Sequence, residues 1–325
     1  RRGAASVATG AIVESYDAQG SLAWRRDAAA LGLSTTASGV LDLVVGADGR
    51  VVVLAQSEDI VGTAGDVACC FELLGLDADG TVRWSEALAG DPGDRFAPAP
   101  ELAIGADEIV VVAMRGDAAD HLLRRSLAGE SIGDAVSLGS GALGRGLAVL
   151  PDGGGDMLVV DDELRRITAG GEIVWTSPLA SGAVESPTIG VGADGVYVAV
   201  RGDEASSRWL RALSHAGAVR WTVALDASVR VEALAELADG LVLATGWRLA
   251  PGSDTDLDVA SFAFEAVDGA EAWRRIESGP SVARGRALAA AQDGGFYLAG
   301  VFDDDTEAPL GFLHRFADLG AAPTP

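Results

Sequence analysis

Lysine and asparagine are absent from this 325-residue chain, so all 24 of its basic residues are arginine. The absence of lysine excludes a lysine nucleophile or Schiff base, and the absence of asparagine excludes an N-glycosylation sequon. A bias of this kind is typical of GC-rich coding and predicts a bacterial source. No apolar stretch approaches the length of a transmembrane helix, so we expect no membrane insertion.

Cysteine is almost absent as well, because the chain contains only Cys69 and Cys70. The pair lies just before Phe71, in a predicted connection between two strands. Two neighbouring cysteines cannot join distant segments of the chain to each other. A vicinal disulfide and a pair of thiols are both open, and cysteine usage therefore does not decide the redox compartment.

Positive charge is scarce, since 48 acidic residues outnumber the arginines and give a net charge of −24. Such a chain repels phosphate backbones and anionic membrane surfaces, so nucleic acid is not an expected partner. With 49% apolar residues the chain can bury a sizeable core, and we expect a single domain over residues 1–320. Residues 321–325 read as the start of a Pro/Thr linker.

Tryptophan reveals an internal repeat, because five of the seven tryptophans follow a turn glycine by four residues. One further copy, with Gly129 and Gly133, keeps the frame without the tryptophan, so the period is about 50 residues. The five complete copies are Gly20 with Trp24, Gly80 with Trp84, Gly171 with Trp175, Gly217 with Trp221, and Gly269 with Trp273.

Each repeat contains two predicted β-hairpins. The first has a turn such as Asp48-Gly49 between two apolar runs, and Asp-Gly suits a type I′ turn because both central residues take positive φ. Asp107-Glu108 is an imperfect copy of this turn, and the second hairpin turns at the glycine of the tryptophan frame. Four antiparallel strands per repeat predict an all-β fold, a β-propeller of seven blades, with six blades as the alternative.

The segments Leu76 to Trp84 and Ile167 to Trp175 resemble the repeats of quinoprotein-like (PQQ-like) propellers and of related bacterial secreted propellers. The resemblance implies an extracellular, cell-surface or periplasmic protein, in a family that includes dehydrogenases and many scaffolds for protein contact. In the enzymes carboxylate and amide groups hold the quinone and Ca²⁺, and no asparagine is present here to serve as an amide ligand. Vicinal cysteines like Cys69 and Cys70 form a disulfide against the quinone in some members, but PQQ is not expected here.

One acidic loop has the spacing with which Ca²⁺ loops begin, since Asp254, Asp256 and Asp258 alternate. The sixth position of that template should be glycine and is Val259, whereas the twelfth is Glu265 as required. A Ca²⁺ site and a solvated acidic loop are the two interpretations.

The starts of the innermost strands supply a second candidate site, because in a propeller they meet at the mouth of the central channel. Their acids and arginines could bind a polar or anionic group, supply a carboxylate pair as in glycosidases, or form solvated ion pairs between blades. The candidates are Asp42, Glu101, Arg145, Glu185, Arg230, Glu232, Arg284 and Arg286.

No matched nucleophile, base or metal set accompanies the complete structural repeat. The sequence therefore predicts a non-catalytic scaffold that binds a protein or glycan, with membership of a larger extracellular assembly as a further hypothesis. The alternative is an enzyme, either a quinone-dependent oxidoreductase or a glycan-active hydrolase.

Overall fold

The computed structural model contains 25 β-strands and no helix among the residues it describes. No helix in that part of the chain is long and apolar enough to cross a membrane. The described residues are 12–17, 21–33, 38–59, 68–89, 101–105, 107–114, 120–139, 146–151, 155–160, 163–179, 185–193, 195–201, 208–253, 255–278, 282–290, 296–303 and 310–316.

The chain divides into two compact units. The first comprises Arg1–Gly155 and Ala169–Gly171, and the second comprises Asp156–Thr168 and Glu172–Pro325. In both units, strands that follow one another along the chain pair in antiparallel order.

The first unit contains a two-stranded hairpin, two four-stranded antiparallel sheets and a strand that packs beside the second of these sheets. The hairpin is β1 (Ile12–Tyr16) and β2 (Leu22–Asp27); the sheets are β3 (Ser38–Val45), β4 (Val51–Asp59), β5 (Ala68–Leu76) and β6 (Val82–Ala89), then β7 (Glu101–Ile104), β8 (Ile109–Met114), β9 (Asp120–Ser126) and β10 (Val136–Gly139); the added strand is β11 (Gly146–Val149).

The second unit contains a group of three strands, a four-stranded sheet and a seven-stranded sheet, and the two parts of the seven-stranded sheet meet in a short parallel pair at Leu257 and Val282. Its strands are β12 (Met157–Val160), β13 (Glu163–Ile167) and β14 (Ile173–Pro178); β15 (Glu185–Val191), β16 (Val196–Arg201), β17 (Arg208–Leu213) and β18 (Val219–Leu225); β19 (Val229–Glu236), β20 (Leu241–Leu249), β21 (Leu257–Glu265) and β22 (Glu271–Ser278); and β23 (Val282–Ala290), β24 (Phe296–Asp303) and β25 (Leu310–Phe316).

The predicted hairpins are confirmed where the structure describes them, but the predicted type I′ turn is wrong, because neither Asp48 nor Asp239 has positive φ. The glycine is instead the fourth residue of its turn, since the N–H of Gly49 donates to the carbonyl of Gly46 over 3.0 Å. Gly49 and Gly240 have φ values of 83° at the turns after β3 and β19, a region that glycine enters without a Cβ clash. In the imperfect copy, Glu108 takes the equivalent place with φ 60°, and it is the only non-glycine residue with positive φ among those described. The turn geometry is therefore kept even where the sequence departs from Asp-Gly.

The core consists of strands that are buried on both faces. Val51 to Ala55 of β4 are all buried, since their alternate side chains contact different neighbouring sheets. Val53 belongs to a cluster with Val13 and Leu31, whereas Leu54 packs with residues such as Val112 of β8. Such two-sided burial shows that successive sheets stack face to face within the unit.

The framed tryptophans join successive sheets. The indole N–H of Trp24 donates to the carbonyl of Ala78 over 2.7 Å, and the ring lies over Gly80 so closely that a Cβ there would come within 2.7 Å of it. The same pair of contacts recurs in three more repeats. There the N–H groups of Trp84, Trp175 and Trp221 donate to Leu127, His215 and Ala266 over 3.0, 3.0 and 2.8 Å, beside Gly129, Gly217 and Gly269.

The repeat without a framed tryptophan replaces the ring with an aliphatic side chain. A Cβ on Gly171 would come within 2.6 Å of Val136 Cγ1. Val136 begins β10, and its side chain makes with Gly171 the close contact that a tryptophan ring makes with the frame glycine in four other repeats. The glycine of the frame thus keeps its close contact even when the tryptophan is lost.

Candidate functional site

The eight predicted channel-mouth residues do not all come together. Asp42 and Glu101 belong to the first unit, whereas Arg230, Glu232, Arg284 and Arg286 lie on β19 and β23 of the second. Arg145 lies outside the described residues, and Glu185 begins β15 with a side chain that is also outside them. Among the candidates whose side chains the structure describes, the four on β19 and β23 form a common cluster.

Asp42 has a structural partner for each oxygen. Its Oδ2 accepts the backbone N–H of Leu102 on β7 over 2.8 Å, and its Oδ1 accepts that of Leu43 over 2.8 Å. Burial raises the pKa of this carboxyl, and the two backbone bonds partly oppose the increase. Asp42 therefore links β3 to β7 through a hydrogen bond from the backbone of β7 to its side chain.

Two β-bulges position the cluster in the second unit. Val231 pairs with Gly246 and Ala233 with Thr245, so Glu232 is the extra residue of β19. On β23, Gly285 pairs with Gly300 and Ala287 with Ala299, so Arg286 is extra in the same way. A bulge turns its extra side chain out of the regular alternation, and here the two bulged residues meet, with Arg286 Nη1 3.4 Å from Glu232 Oε2.

Glycines allow the strands behind the bulges to approach closely. A Cβ on Gly246 would overlap the carbonyl oxygen of Arg230, and a Cβ on Gly285 would overlap Thr245 Oγ1. Because Gly285 is on β23 and Thr245 on β20, the missing Cβ of Gly285 allows these two strands to approach closely. Larger residues at these positions would separate the strands and displace the charged side chains.

Trp247 forms the centre of the cluster. Its indole N–H donates to Glu232 Oε1 over 3.0 Å, and the same oxygen lies 3.2 Å from Arg230 Nε. The guanidinium carbons of Arg208, Arg230 and Arg284 lie 6.0, 5.9 and 5.9 Å from the centroid of the ring, at the outer limit for cation–π attraction. We call Arg208, Arg230, Glu232, Trp247, Arg284 and Arg286 the arginine cluster.

The arginine cluster carries an excess of positive charge in a strongly acidic chain. Its carboxylate, that of Glu232, contacts the guanidinium groups of Arg230 and Arg286, and the Glu232 side chain is only 18% exposed. The side chains of Arg230 and Arg286 are 42% and 47% exposed, so solvent reaches the site. Guanidinium groups in this arrangement are suited to binding an anion, since each offers several N–H donors in a planar fork.

Sequence reasoning grouped Arg230, Glu232, Arg284 and Arg286, but it missed Arg208 and Trp247. Trp247 could have been noticed as one of the two tryptophans outside the glycine frame. Arg208 gives no such signal, because it begins β17, two strands away from the predicted inner strand of its sheet. Its guanidinium donates to the carbonyl of Val229, which fixes it beside β19.

The Ca²⁺ prediction stays untested, but one of its carboxylates is already engaged. Asp258 is 3% exposed, and Arg248 approaches its Oδ2 to 3.2 Å. Asp256 is exposed, and Asp254 lies outside the described residues. In the part of the chain that is described, no group of three or more histidine, cysteine, aspartate and glutamate side chains could hold a metal ion.

Cys69 and Cys70 lie within β5, not in the connection that precedes it as the sequence suggested. They pair in register with Glu58 and Ser57 of β4, and their side chains are outside the described part. The strand begins earlier than expected because its pairing with β4 extends to Ala68. The vicinal disulfide stays a prediction.

Comparison with known proteins identifies the fold. No protein-family model matches the sequence, and no curated protein is significantly similar to it. Among solved structures, hydrazine synthase from Kuenenia stuttgartiensis aligns with a TM-score of 0.56 at 12% identity, over 81% of this chain and 76% of that one. The Dos1 propeller aligns with a TM-score of 0.53 at 12% identity, over 87% of this chain and 85% of that one.

Quinohemoprotein alcohol dehydrogenase from Comamonas testosteroni aligns with a TM-score of 0.52 at 12% identity, over 90% of this chain and 60% of that one. Identities this low show the fold alone. The described sheets thus have a β-propeller fold of the PQQ-like kind, which confirms the fold expected from the repeat. The number of blades stays a prediction.

Proposed function

We propose that this protein is a non-catalytic, secreted or cell-surface β-propeller that binds a glycan or protein partner through an anionic group held at the arginine cluster. The observation that supports it is the convergence of three guanidinium groups, those of Arg208, Arg230 and Arg284, on Trp247, with Arg286 paired to Glu232 beside them. Guanidinium groups held close together repel one another, and an anion placed among them relieves that repulsion.

The net charge of the chain makes a local site necessary for such a ligand. With a net charge of −24 the protein repels anions at long range, so attraction has to come from groups in direct contact. Salt screens the long-range repulsion beyond about 10 Å at 0.1 M, whereas partly buried contacts are screened less. We therefore expect the anionic partner to bind at physiological ionic strength.

Arg286→Gln provides the direct test, because this side chain is exposed and its loss leaves Glu232 paired with Arg230. We expect the variant to bind an anionic glycan or peptide about tenfold more weakly than the unchanged protein, in line with the loss of a charged hydrogen bond. Arg83→Gln is the matched control, since Arg83 is a 68% exposed arginine paired with one carboxylate, that of Asp77. Calorimetric titration of both variants with acidic and neutral oligosaccharides and acidic peptides measures the difference.

Equal affinities of the two variants for every anionic ligand would contradict this proposal. Turnover of a bound glycan would also contradict the proposal, as would a quinone absorbance that stays with the purified protein. Either of the latter results would favour the enzyme alternative, a glycan-active hydrolase or a quinone-dependent oxidoreductase.

A further inference from the structure

We infer that the arginine cluster takes a tetrahedral oxyanion, a sulfate or phosphate group, in preference to a carboxylate. This inference rests on the proposed function and specifies the chemistry of the group that binds. It depends on which N–H donors of the cluster already have an acceptor, and on which strands carry the arginines that supply the other donors.

The resident carboxylate is saturated. Glu232 Oε1 receives the indole N–H of Trp247 and lies 3.2 Å from Arg230 Nε, while Oε2 faces Arg286 Nη1 at 3.4 Å. Both oxygens are thus occupied by groups inside the cluster.

Arg284 brings a buried N–H donor to the cluster. Its Nε is buried and has no hydrogen-bond partner among the described residues, and its one described interaction is the contact of its guanidinium with the Trp247 ring. Burying an N–H donor without an acceptor is unfavourable, so such donors are normally satisfied by protein, water or a ligand. A bound oxyanion would supply the missing acceptor.

The arginines lie on different strands, which favours a ligand whose oxygens point in several directions. Arg208, Arg230 and Arg284 come from three strands, β17, β19 and β23, and all lie about equally far from one ring centroid. A carboxylate presents two oxygens in one plane, whereas sulfate and phosphate present at least three around a centre. Planar arginine forks pair with such groups through two parallel bonds, which lysine cannot form.

The first experiment compares oxyanions at constant ionic strength. The unchanged protein is titrated by calorimetry with sodium sulfate, inorganic phosphate, sodium acetate and sodium glucuronate. We expect sulfate or phosphate to bind at least about tenfold more tightly than the two carboxylates, as expected for added charged hydrogen bonds. Galactose 6-sulfate and glucose 6-phosphate then distinguish a sulfated from a phosphorylated partner.

Substitutions test whether the anions bind at the arginine cluster. Arg284→Gln and Arg284→Lys should both lose the preference for sulfate and phosphate, because lysine keeps the charge without the fork. Glu232→Gln should bind both anions more tightly, since it removes the competing charge, while Arg83→Gln should leave affinity unchanged. Unfolding curves check that each variant folds, and the exposed Arg286→Gln replaces the Arg284 variants if they do not.

The outcomes separate this inference from the proposed function. Carboxylates that bind as tightly as sulfate and phosphate, with affinity lost in the Arg286→Gln variant, would overturn the oxyanion preference and leave the binding function standing. Affinities that none of the cluster substitutions changes would overturn both.

Discussion

The contact between four of the framed tryptophans and a glycine in the next repeat combines two interactions, a ring over a backbone and an indole N–H to a carbonyl. Trp175 shows both, since its N–H donates to His215 and its ring excludes a Cβ at Gly217. Gly217 is required for two reasons, because the ring leaves no room for a Cβ and because its backbone has a φ of +84°. These residues therefore explain the frame that is visible in the sequence.

Gly217→Ala and Gly252→Ala separate the two requirements. Both glycines have positive φ, but a Cβ on Gly252 would meet nothing within 4 Å, whereas one on Gly217 would meet the Trp175 ring at 2.7 Å. We expect Gly252→Ala to cost about 1–2 kcal/mol from its φ alone, and Gly217→Ala to cost about 1–3 kcal/mol more from overpacking. Urea unfolding of the two variants measures the difference, and equal values would show that the ring moves away freely.

Trp221→Phe and Trp273→Phe test the hydrogen bond. The N–H of Trp221 donates to Ala266 over 2.8 Å, whereas the buried N–H of Trp273 has no partner among the described residues. We expect Trp221→Phe to lose about 1–3 kcal/mol more than Trp273→Phe, because it leaves a buried carbonyl unpaired. If thermal unfolding shows equal losses, then an acceptor outside the described residues binds the Trp273 N–H.

At the scale of elements, sheets of the first unit are joined by polar side chains as well as by the tryptophans. Arg125 on β9 makes a two-pronged ion pair with Glu86 on β6, with distances of 2.7 and 2.6 Å. The Arg125 side chain is only 10% exposed, so water screens this pair less than it screens surface pairs. Together with the hydrogen bond from Leu102 to Asp42, it joins these two sheets at two places.

The Glu86–Arg125 pair predicts a pH dependence of stability. The hydrogen bond from Arg125 lowers the pKa of Glu86 below its ordinary value of 4.5, so the stabilisation is present above pH 4.5 and is lost as the pH falls through the lowered pKa. We expect Glu86→Gln to be less stable than the unchanged protein at pH 7, by about 1 kcal/mol, and the two to converge toward pH 3. Denaturant unfolding across this range gives the difference, and a gap that stays constant with pH would contradict the assignment.

How much the sequence predicts depends on whether a feature is local. Asp48-Gly49 predicts its hairpin correctly, although not the turn type, because the turn needs only the φ preferences of adjacent residues. Arg230 and Arg284 could be grouped by aligning inner strands, since equivalent positions in a repeat become neighbours. The bulge at Glu232 and the approach of Arg208 from β17 depend on strand register and sheet packing, which the repeat pattern does not encode.

Asp42 shows the limit of grouping residues by type. It was predicted with the arginines because it begins an inner strand, yet its carboxylate is satisfied by two backbone N–H groups. Nothing in the sequence distinguishes a carboxylate that faces a ligand from one that clamps a strand, because the acceptor partners are backbone atoms of a distant segment.

At the scale of the whole molecule, the charge of −24 opposes the folded state through repulsion among acidic side chains. Raising the salt concentration from 0.01 to 0.1 M shortens the screening length from about 30 to about 10 Å, which weakens this repulsion more than it weakens contact pairs. We expect the free energy of unfolding to rise over this range. Urea unfolding at both concentrations tests it, and a fall would show that the ion pairs outweigh the repulsion.

The tryptophan–glycine contact always runs in the same direction along the chain, from the tryptophan of one repeat to the glycine of the next. In the repeats that make both contacts, the glycine turn meets the ring of the repeat before it and the tryptophan meets the glycine of the repeat after it, as Gly217 and Trp221 do with Trp175 and Gly269. Because the two halves of the joint are the same in these repeats, the junction does not depend on which repeats meet. Whole repeats cut at the glycine turn should therefore be exchangeable as modules, and new binding surfaces could be built by reordering them without redesigning the joint.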